Sequence, residues 1–261
     1  MLASDILVVH AKHGILVLNR NDEYVGHSIL ATGTWCENEI IALAQLLRPG
    51  DTAIEVGANI GAHTIALSAM VGDTGRIHAF EPQRIIFHQL VAAVAINGLT
   101  NVHCHHAGVG RVPGTALVPP VDYTQKGNFG AVSLQPGRTT AVAMTGQAGE
   151  NVDVVTIDSL GLQSCRLIKI DAEGMERDVL EGARDTIARL RPAIYTEWEY
   201  NREGPETVVR LTEMGYRVFP HCSPGNYNLY AFPREWGMGL RTPELAVVDG
   251  ELVGYANTIV E

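Results

Sequence analysis

The segment with the clearest chemical potential is a glycine turn that follows a short apolar strand. Its sequence, Glu55-Val-Gly-Ala-Asn-Ile-Gly61, leads from a strand predicted over 52–56 directly into a helix predicted over 60–71. Glycine lets a ligand approach the main chain, and the first turn of a helix presents free N–H groups. Glu81 lies 20 residues past Gly61, at the end of the next predicted strand, where a carboxylate can accept both hydroxyl hydrogens of a ribose. These residues predict a pocket for a nucleoside-bearing cofactor.

The glycine spacing separates two classes of such cofactors. Gly57 and Gly61 are separated by three residues, whereas dinucleotide-binding folds favour G-x-G-x-x-G around a pyrophosphate. The turn contains no Lys or Arg to attract phosphate. A cationic cofactor with one carboxylate, one amine and one ribose fits better, and S-adenosylmethionine matches that description. We expect its amino-acid end near Glu55 and Asn59, and the predicted cofactor-binding residues are Glu55, Gly57, Ala58, Asn59, Gly61, Glu81, Pro82, His106, Ala107 and Asp171.

A second group of acidic residues follows two later strands. Asp171 and Glu173 come after the apolar strand predicted over 167–170, and Glu197 closes the strand predicted over 193–197. The carboxyl ends of parallel strands share one rim, where open α/β sheets bind their ligands. We therefore predict that Asp171, Glu173 and Glu197 are catalytic, with Asp171 as general base and with Glu173, Glu197 and His63 as alternative bases. The alternative role for Asp171 or Glu173 is to cap the helix that follows.

Acceptor binding is assigned to His63, Ser133 and Glu197. His63 lies in the first turn of the helix after the glycine turn, and Ser133 lies in a long irregular segment. No metal site is predicted. The four residues His-Cys-His-His at 103–106 alternate between the two faces of a strand, so only two of them share a face, too few for structural zinc.

Strands and helices alternate around these residues. Predicted strands over 52–56, 76–80 and 102–106 enclose predicted helices over 60–71 and 84–97, a rhythm typical of parallel strands with right-handed crossovers. Residues 108–151 interrupt it, are rich in Gly, Pro, Thr and Gln, and are predicted as a loop or small hairpin insertion over the substrate. The rhythm then resumes with strands over 152–157, 167–170, 193–197, 216–219 and 228–232, and with helices over 174–190 and 205–214.

Several motifs at these positions resemble the FkbM-type S-adenosylmethionine-dependent methyltransferases. They are Glu55 to Gly61, Phe80-Glu81-Pro82, Asn101-Val102, Val155-Thr-Ile-Asp-Ser-Leu160 and Ile168-Lys-Ile-Asp-Ala-Glu-Gly-Met-Glu176. The resemblance covers residues 33–232 and implies a Rossmann-like class I methyltransferase fold. That fold is α/β, with a seven-stranded, mostly parallel sheet, helices on both faces and an antiparallel last strand. The resemblance also implies methyl transfer to a hydroxyl of a sugar or secondary metabolite, or in some members to an amide nitrogen.

The sequence pattern predicts that the chain is divided into three regions. Residues 1–50 form an extension of β segments, including a run over 25–30, and a covering helix over 37–47. Residues 51–233 form the methyltransferase domain, with its insertion at 108–151. Residues 234–261 form a tail for which the pattern predicts no structure.

Two other functions are open at this point. An NAD(P)-dependent oxidoreductase uses a similar sheet, but the glycine spacing and the lack of a Tyr-x-x-x-Lys proton relay argue against it. A non-catalytic protein that keeps the cofactor pocket as a scaffold is the other, because a fold does not establish turnover.

The composition of the chain limits the classes of partner that the protein is expected to bind. The net charge of -10 over 261 residues disfavours a nucleic acid, whose phosphates require clustered cations. No apolar run reaches the roughly 18 residues that span a bilayer, so no membrane partner is expected. The four cysteines form no C-x-x-C pair, which favours free thiols in a reducing cytoplasm. The expected partner is a small-molecule or peptide-like acceptor, and a homo-oligomer is left open.

Overall fold

The computed structural model describes residues 5–139, 141–198, 204–223, 226–237 and 244–255. A β-hairpin and two helices come first: β1 (Ile6–Ala11), β2 (Gly14–Asn19), α1 (Val25–Thr32) and α2 (Glu37–Ala44). An alternating unit follows: β3 (Thr52–Val56), α3 (Ala62–Val71), β4 (Arg76–Phe80), α4 (Arg84–Ile96) and β5 (Val102–His105). The insertion contains three strands: β6 (Gly108–Val109), β7 (Gly114–Val118) and β8 (Glu150–Val155). The remaining elements are β9 (Leu167–Ile170), α5 (Glu176–Glu181), α6 (Arg184–Leu190), β10 (Ala193–Glu197), α7 (Gly204–Glu213), β11 (Tyr216–Ser223), β12 (Asn226–Pro233), β13 (Leu245–Val248) and β14 (Glu251–Tyr255).

Seven of these strands form one central sheet in the order β11-β12-β10-β9-β3-β4-β5. Strands β10, β9, β3, β4 and β5 are parallel, whereas β12 runs antiparallel to both of its neighbours. The chain moves outward from β3 to β5 and then returns to β9 on the other side of β3. This reversal opens a crevice at the carboxyl ends of β3 and β9. The predicted α/β fold with a seven-stranded, mostly parallel sheet is confirmed.

The strands of this sheet alternate between two apolar layers. Ile54 and Ile168 pack into one hydrophobic cluster, whereas Ala53 and Leu167 pack into the cluster on the opposite face. Sheets covered on both faces require nearly continuous apolar strands, which explains why β3, β4, β9 and β10 begin and end at the predicted residues.

Two predicted elements differ from the structure. Residues 25–30, predicted as a β run, belong to helix α1. Its first turn is stabilised by the Asp22 carboxylate, which accepts the N–H groups of Tyr24 (3.0 Å) and Gly26 (3.1 Å). The helix predicted over 174–190 is divided into α5 and α6 at Gly182, where a Cβ would lie 2.0 Å from the Gly110 carbonyl oxygen. The chain bends there because the insertion passes against its main chain.

The insertion and the C-terminal segment both contain strands. In the insertion, β8 lies between β6, to which it is parallel, and β7, to which it is antiparallel. Where the pattern predicted no structure, β13 and β14 form an antiparallel hairpin that packs beside α7. No helix in the described ranges has the length and apolar character that a bilayer crossing requires.

Candidate active site

A cavity of about 710 Å³ lies at the carboxyl ends of the parallel strands. This volume is in the range of pockets that hold small molecules. The predicted residues that line it are Gly57, Ala58, Asn59, His63, Glu81, Pro82, Ala107, Asp171, Glu173 and Glu197. The fold therefore brings together side chains from the ends of β3, β4, β5, β9 and β10 with the start of α3.

The glycine turn is shaped by packing against the neighbouring strand. Gly57 has a φ of +78°, and a Cβ at this position would lie 1.8 Å from the carbonyl oxygen of Asp171. A side chain at residue 57 would therefore collide with the protein's own main chain before it met a ligand. Gly61 is the residue before α3 and does not line the cavity.

Glu81 is the predicted ribose acceptor, and it is only 3% exposed. Its carboxylate accepts the backbone N–H of Asn59 (3.0 Å) and that of Gln83 (2.8 Å). Burial raises the pKa of Glu81 to about 7, although these two hydrogen bonds act in the opposite direction. A ligand that donates hydroxyl hydrogens to this carboxylate would favour its charged form.

An ion pair with a buried ammonium group borders the cavity. Glu55 and Lys169 are register partners on β3 and β9, and Lys169 is 2% exposed. The Lys169 Nζ lies 3.2 Å from Asp171 Oδ2. Burial opposes the ammonium charge, but Asp171, Glu55 and Glu39 outweigh it and raise the pKa of Lys169. Sequence reasoning missed Lys169, although a lysine within the apolar strand Leu-Ile-Lys-Ile was a visible signal.

Glu55 itself does not line the cavity. The side chain is 1% exposed and accepts a 2.6 Å hydrogen bond from the Thr64 hydroxyl. Burial raises the pKa of Glu55 against the attraction of Lys169. The structure places Glu55 under the cavity floor as a partner for Lys169 and Thr64, and this differs from the predicted contact with the cofactor.

The three predicted catalytic acids lie together at the rim. Oxygen atoms of Asp171, Glu173 and Glu197 all lie within 4.8 Å of one another. The backbone of Glu173 is in the left-handed region, with a φ of +49°. Three carboxyl groups thus border this side of the cavity, and Asp171 among them is paired with Lys169.

A histidine and a glutamate close the cavity on the side of α2. His63, at the start of α3, has its Nε2 atom 3.5 Å from Glu39 Oε2. Glu39 also accepts a 3.0 Å hydrogen bond from the side chain of Asn228 on β12. Glu39 and Asn228 both line the cavity, and both were missed because nothing in their local sequence distinguishes them from surface residues.

Two other predicted residues lie outside the cavity lining. His106 is exposed, stacks on Phe87 and has its Nε2 atom 3.1 Å from the carbonyl oxygen of Pro82. Ser133 is buried within the insertion, where its hydroxyl accepts the N–H of Gln135 (3.1 Å). Both side chains are satisfied by local contacts, which the strand and loop patterns did not reveal.

The insertion covers the cavity from above. A short turn at Phe129–Ala131 is attached to the sheet by Gln83, whose Nε2 donates to the carbonyl of Phe129 (2.9 Å). Tyr123 donates its hydroxyl to the Gln83 Oε1 (2.9 Å). Seven residues of the insertion line the cavity, namely Gly108, Val109, Asn128, Gly130, Ala131, Val132 and Leu134.

Comparison with known proteins agrees with this geometry. Residues 55–218 match the model of the methyltransferase FkbM domain. The 31-O-demethyl-FK506 methyltransferase FkbM of Streptomyces tacrolimicus is 29% identical over 202 residues, which are 68% of this chain and 77% of that protein. Methyltransferase 1 of Beauveria bassiana is 28% identical over 155 residues, 52% of this chain and 60% of that protein.

A solved structure shares the fold. The crystal structure of methyltransferase FkbM from Methylobacillus flagellatus superposes with a TM-score of 0.51 at 18% identity, and the match covers 81% of this chain and 55% of that one. This chain thus spans little more than half of that protein. The family model covers more than half of this chain, and the strand order and the crevice are those that such an enzyme requires. The chain therefore belongs to the FkbM methyltransferase family.

Proposed function

We propose that this protein transfers the methyl group of S-adenosylmethionine to a hydroxyl of a sugar or secondary metabolite. One observation carries the cofactor assignment: a buried glutamate, Glu81, ends the strand beside the glycine turn and lines the crevice where the strand order reverses. The hydroxyl acceptor is supported by the name of the Streptomyces relative, which describes methylation of an oxygen. An amide nitrogen is the alternative acceptor on the same fold.

The charges of the cavity suit S-adenosylmethionine better than a dinucleotide. Among the described lining residues, the one Lys or Arg is Lys169, and Asp171 is its partner. A pyrophosphate would therefore find no free cation in the lining. The carboxylates of Asp171, Glu173 and Glu197 instead suit a ligand that carries an ammonium and a sulfonium. This charge distribution disfavours the oxidoreductase alternative.

The roles of the lining residues follow from these contacts. When bound, S-adenosylmethionine would supply an activated methyl group for in-line transfer to the acceptor oxygen, with S-adenosylhomocysteine as the leaving group. Glu81 would hold the ribose hydroxyls, Ala58 and Asn59 would border the amino-acid end, and Asp171 would face the ammonium. Alignment of the two reactants contributes about 7–11 kcal/mol, whereas one general base contributes about 3–5 kcal/mol. The principal task of the fold is thus to hold donor and acceptor in line.

Binding and transfer are tested in sequence. We expect calorimetric titration to show binding of S-adenosylmethionine and no binding of NAD or NADP. Methyl-labelled S-adenosylmethionine is then incubated with 31-O-demethyl-FK506, a panel of sugar and polyketide alcohols, and a panel of peptides. Label in an alcohol supports the proposal, and label in a peptide amide replaces the acceptor. Nicotinamide binding alone, or cofactor binding without transfer to any acceptor, contradicts it.

A second prediction concerns metal ions. We expect transfer to continue after treatment with EDTA, because the sulfonium is already activated and one of the three clustered acids, Asp171, is paired with Lys169. The measurement is the rate of label transfer before and after chelation and after addition of Mg²⁺. Loss of activity with EDTA that Mg²⁺ restores would show instead that Asp171, Glu173 and Glu197 hold a cation.

A further inference from the structure

A buried histidine with an unsatisfied nitrogen borders the cavity. His63 is 5% exposed, and its Nε2 atom is fully buried without a hydrogen-bond partner. The nearest opposite charge is Glu39 Oε2 at 3.5 Å, an ion-pair distance longer than a normal hydrogen bond. A small movement would close this contact when Nε2 carries a proton. The imidazole is therefore directed at Glu39 by one nitrogen, which leaves Nδ1 as the other site for a proton.

The contacts of Glu39 fix the orientation of its carboxylate toward His63. It is 5% exposed, and Asn228 donates a 3.0 Å hydrogen bond to its Oε1, so that Oε2 is directed at His63. Burial raises the pKa of Glu39, but His63, Lys169 and His221 outweigh burial and lower it. The carboxylate is thus charged, and a charged carboxylate beside a histidine stabilises the imidazolium.

The charged neighbours of the pair come from three strands of the central sheet. Glu55 on β3 interacts with His63, while Lys169 on β9 and His221 on β11 interact with Glu39. The three acids at the rim stand beyond Lys169, and Asp171 is already in contact with its ammonium. His63 is thus the imidazole of the cavity lining, and Glu39 is its direct counter-ion.

The two candidate bases differ in chemistry. An ordinary carboxyl group has a pKa of about 4 and an imidazole of about 6.5, and a general base acts best when its pKa lies near the working pH. One Asp171 oxygen is also occupied by Lys169. We propose that His63, and not Asp171, is the general base for the acceptor hydroxyl, and that Glu39 is the residue that positions and charges it. This inference rests on the proposed methyl transfer and names the proton acceptor within it.

The proton balance of the step is simple. The acceptor oxygen forms a bond to the methyl carbon while the carbon–sulfur bond breaks and its electron pair stays on sulfur. The hydroxyl proton moves to His63 Nδ1, and the imidazolium is stabilised by Glu39 through Nε2. The proton returns to solvent after S-adenosylhomocysteine and the methyl ether leave. No oxidant or metal is needed.

The first test measures transfer to the alcohol of the panel that the wild-type protein methylates fastest. We expect His63→Ala to lower kcat/KM by about 10²–10⁴-fold, and added imidazole to restore part of the rate. The affinity for S-adenosylmethionine, measured by calorimetry, should be unchanged. The matched control is His88→Ala, an exposed histidine on α4. A large loss of cofactor affinity in His63→Ala would show instead that His63 holds the cofactor, and failure of imidazole to restore any rate would also reject the base.

The second test isolates the positioning residue. In Glu39→Gln the kcat for the acceptor alcohol should fall while its KM changes little, because the carboxylate that orients the His63 imidazole is gone. Nitrogen NMR of labelled histidine should show His63 protonated on Nε2 in the wild-type protein and a mixture of tautomers in the variant. Glu37→Gln, on the same helix but outside the cavity lining, is the control for folding and charge.

The outcomes separate the two levels of inference. An unchanged kcat in folded Glu39→Gln, or a wild-type His63 protonated on Nδ1, overturns the pairing while leaving methyl transfer intact. A wild-type protein that transfers no label to any acceptor rejects the methyl transfer itself, and the base role is rejected with it.

Discussion

Replacement of Gly57 by alanine is expected to lower the free energy of unfolding by about 2–5 kcal/mol. A left-handed backbone conformation costs a non-glycine residue about 1–2 kcal/mol, and overpacking adds about 1–3 kcal/mol. The added Cβ would lie 1.8 Å from the Asp171 carbonyl oxygen, so β3 and β9 would have to move apart at the base of the cavity. A typical domain has only about 5–15 kcal/mol of stability. Urea unfolding followed by circular dichroism measures the loss.

A matched variant distinguishes the two contributions. Gly33 has almost the same φ, +79°, but a Cβ there would meet nothing within 4 Å. Gly33→Ala should therefore lose only the backbone contribution, about 1–2 kcal/mol. Equal losses in the two variants would mean that the close approach of residue 57 to β9 is not a determinant of stability.

Replacement of Glu81 by glutamine is expected to weaken S-adenosylmethionine binding by about 10–100-fold. A hydrogen bond to a charged group contributes about 1.5–3 kcal/mol, and the glutamine amide can accept at only one of its two ends. The amide would also direct hydrogens at the N–H of Asn59 or Gln83. Calorimetric titration at pH 8 measures the change, and Glu213→Gln, a half-exposed glutamate on α7, is the control. Unchanged affinity in folded Glu81→Gln would reject the ribose role.

The pH dependence of binding follows from the same carboxyl. Its pKa of about 7 in the free protein means that it is largely protonated at pH 6 and largely charged at pH 8. Ribose hydroxyls donate to the charged form, so the affinity for S-adenosylmethionine should rise about tenfold between these pH values. This rise should disappear in Glu81→Gln. A wild-type affinity that falls over the same range would contradict a carboxylate acceptor.

Folding stability should change in the opposite direction. Between the ordinary glutamate pKa of about 4.5 and the folded value of about 7, the folded protein keeps a proton that the unfolded chain has lost. Its contribution to stability is therefore complete below pH 4.5 and is lost as the pH rises through 7. Near pH 8, Glu81 thus binds the ribose best but contributes least to folding stability. A bound cofactor offsets this loss because it stabilises the folded protein.

Local sequence patterns were sufficient to predict the strands and the glycine turn that surround the site. The boundaries of β3, β4, β9 and β10 were predicted correctly because a strand covered on both faces must be apolar along its length and end at polar residues. The turn from Glu55 to Gly61 and the distance to Glu81 are local features of one βαβ unit. Their spacing alone therefore predicted that Gly57, Asn59 and Glu81 border one cavity, whereas Glu55 lies beneath it. The helix over 25–32 was missed because its cap, Asp22, and its buried residues Val25 and Ile29 form too short a pattern to be recognised.

Only the tertiary structure decided how the polar groups are paired. Glu39 and Asn228 are 189 residues apart and meet because α2 and β12 close opposite sides of one cavity. His63 acquires its partner from a helix that no spacing rule connects to it. Lys169 was visible in sequence, but its interaction with Glu55 depends on β9 lying beside β3 in the sheet. Spacing along the chain determines which face and which end of an element a residue occupies. The pairing of polar side chains depends instead on how distant elements pack. The assignment of His63 as proton acceptor depends on that packing.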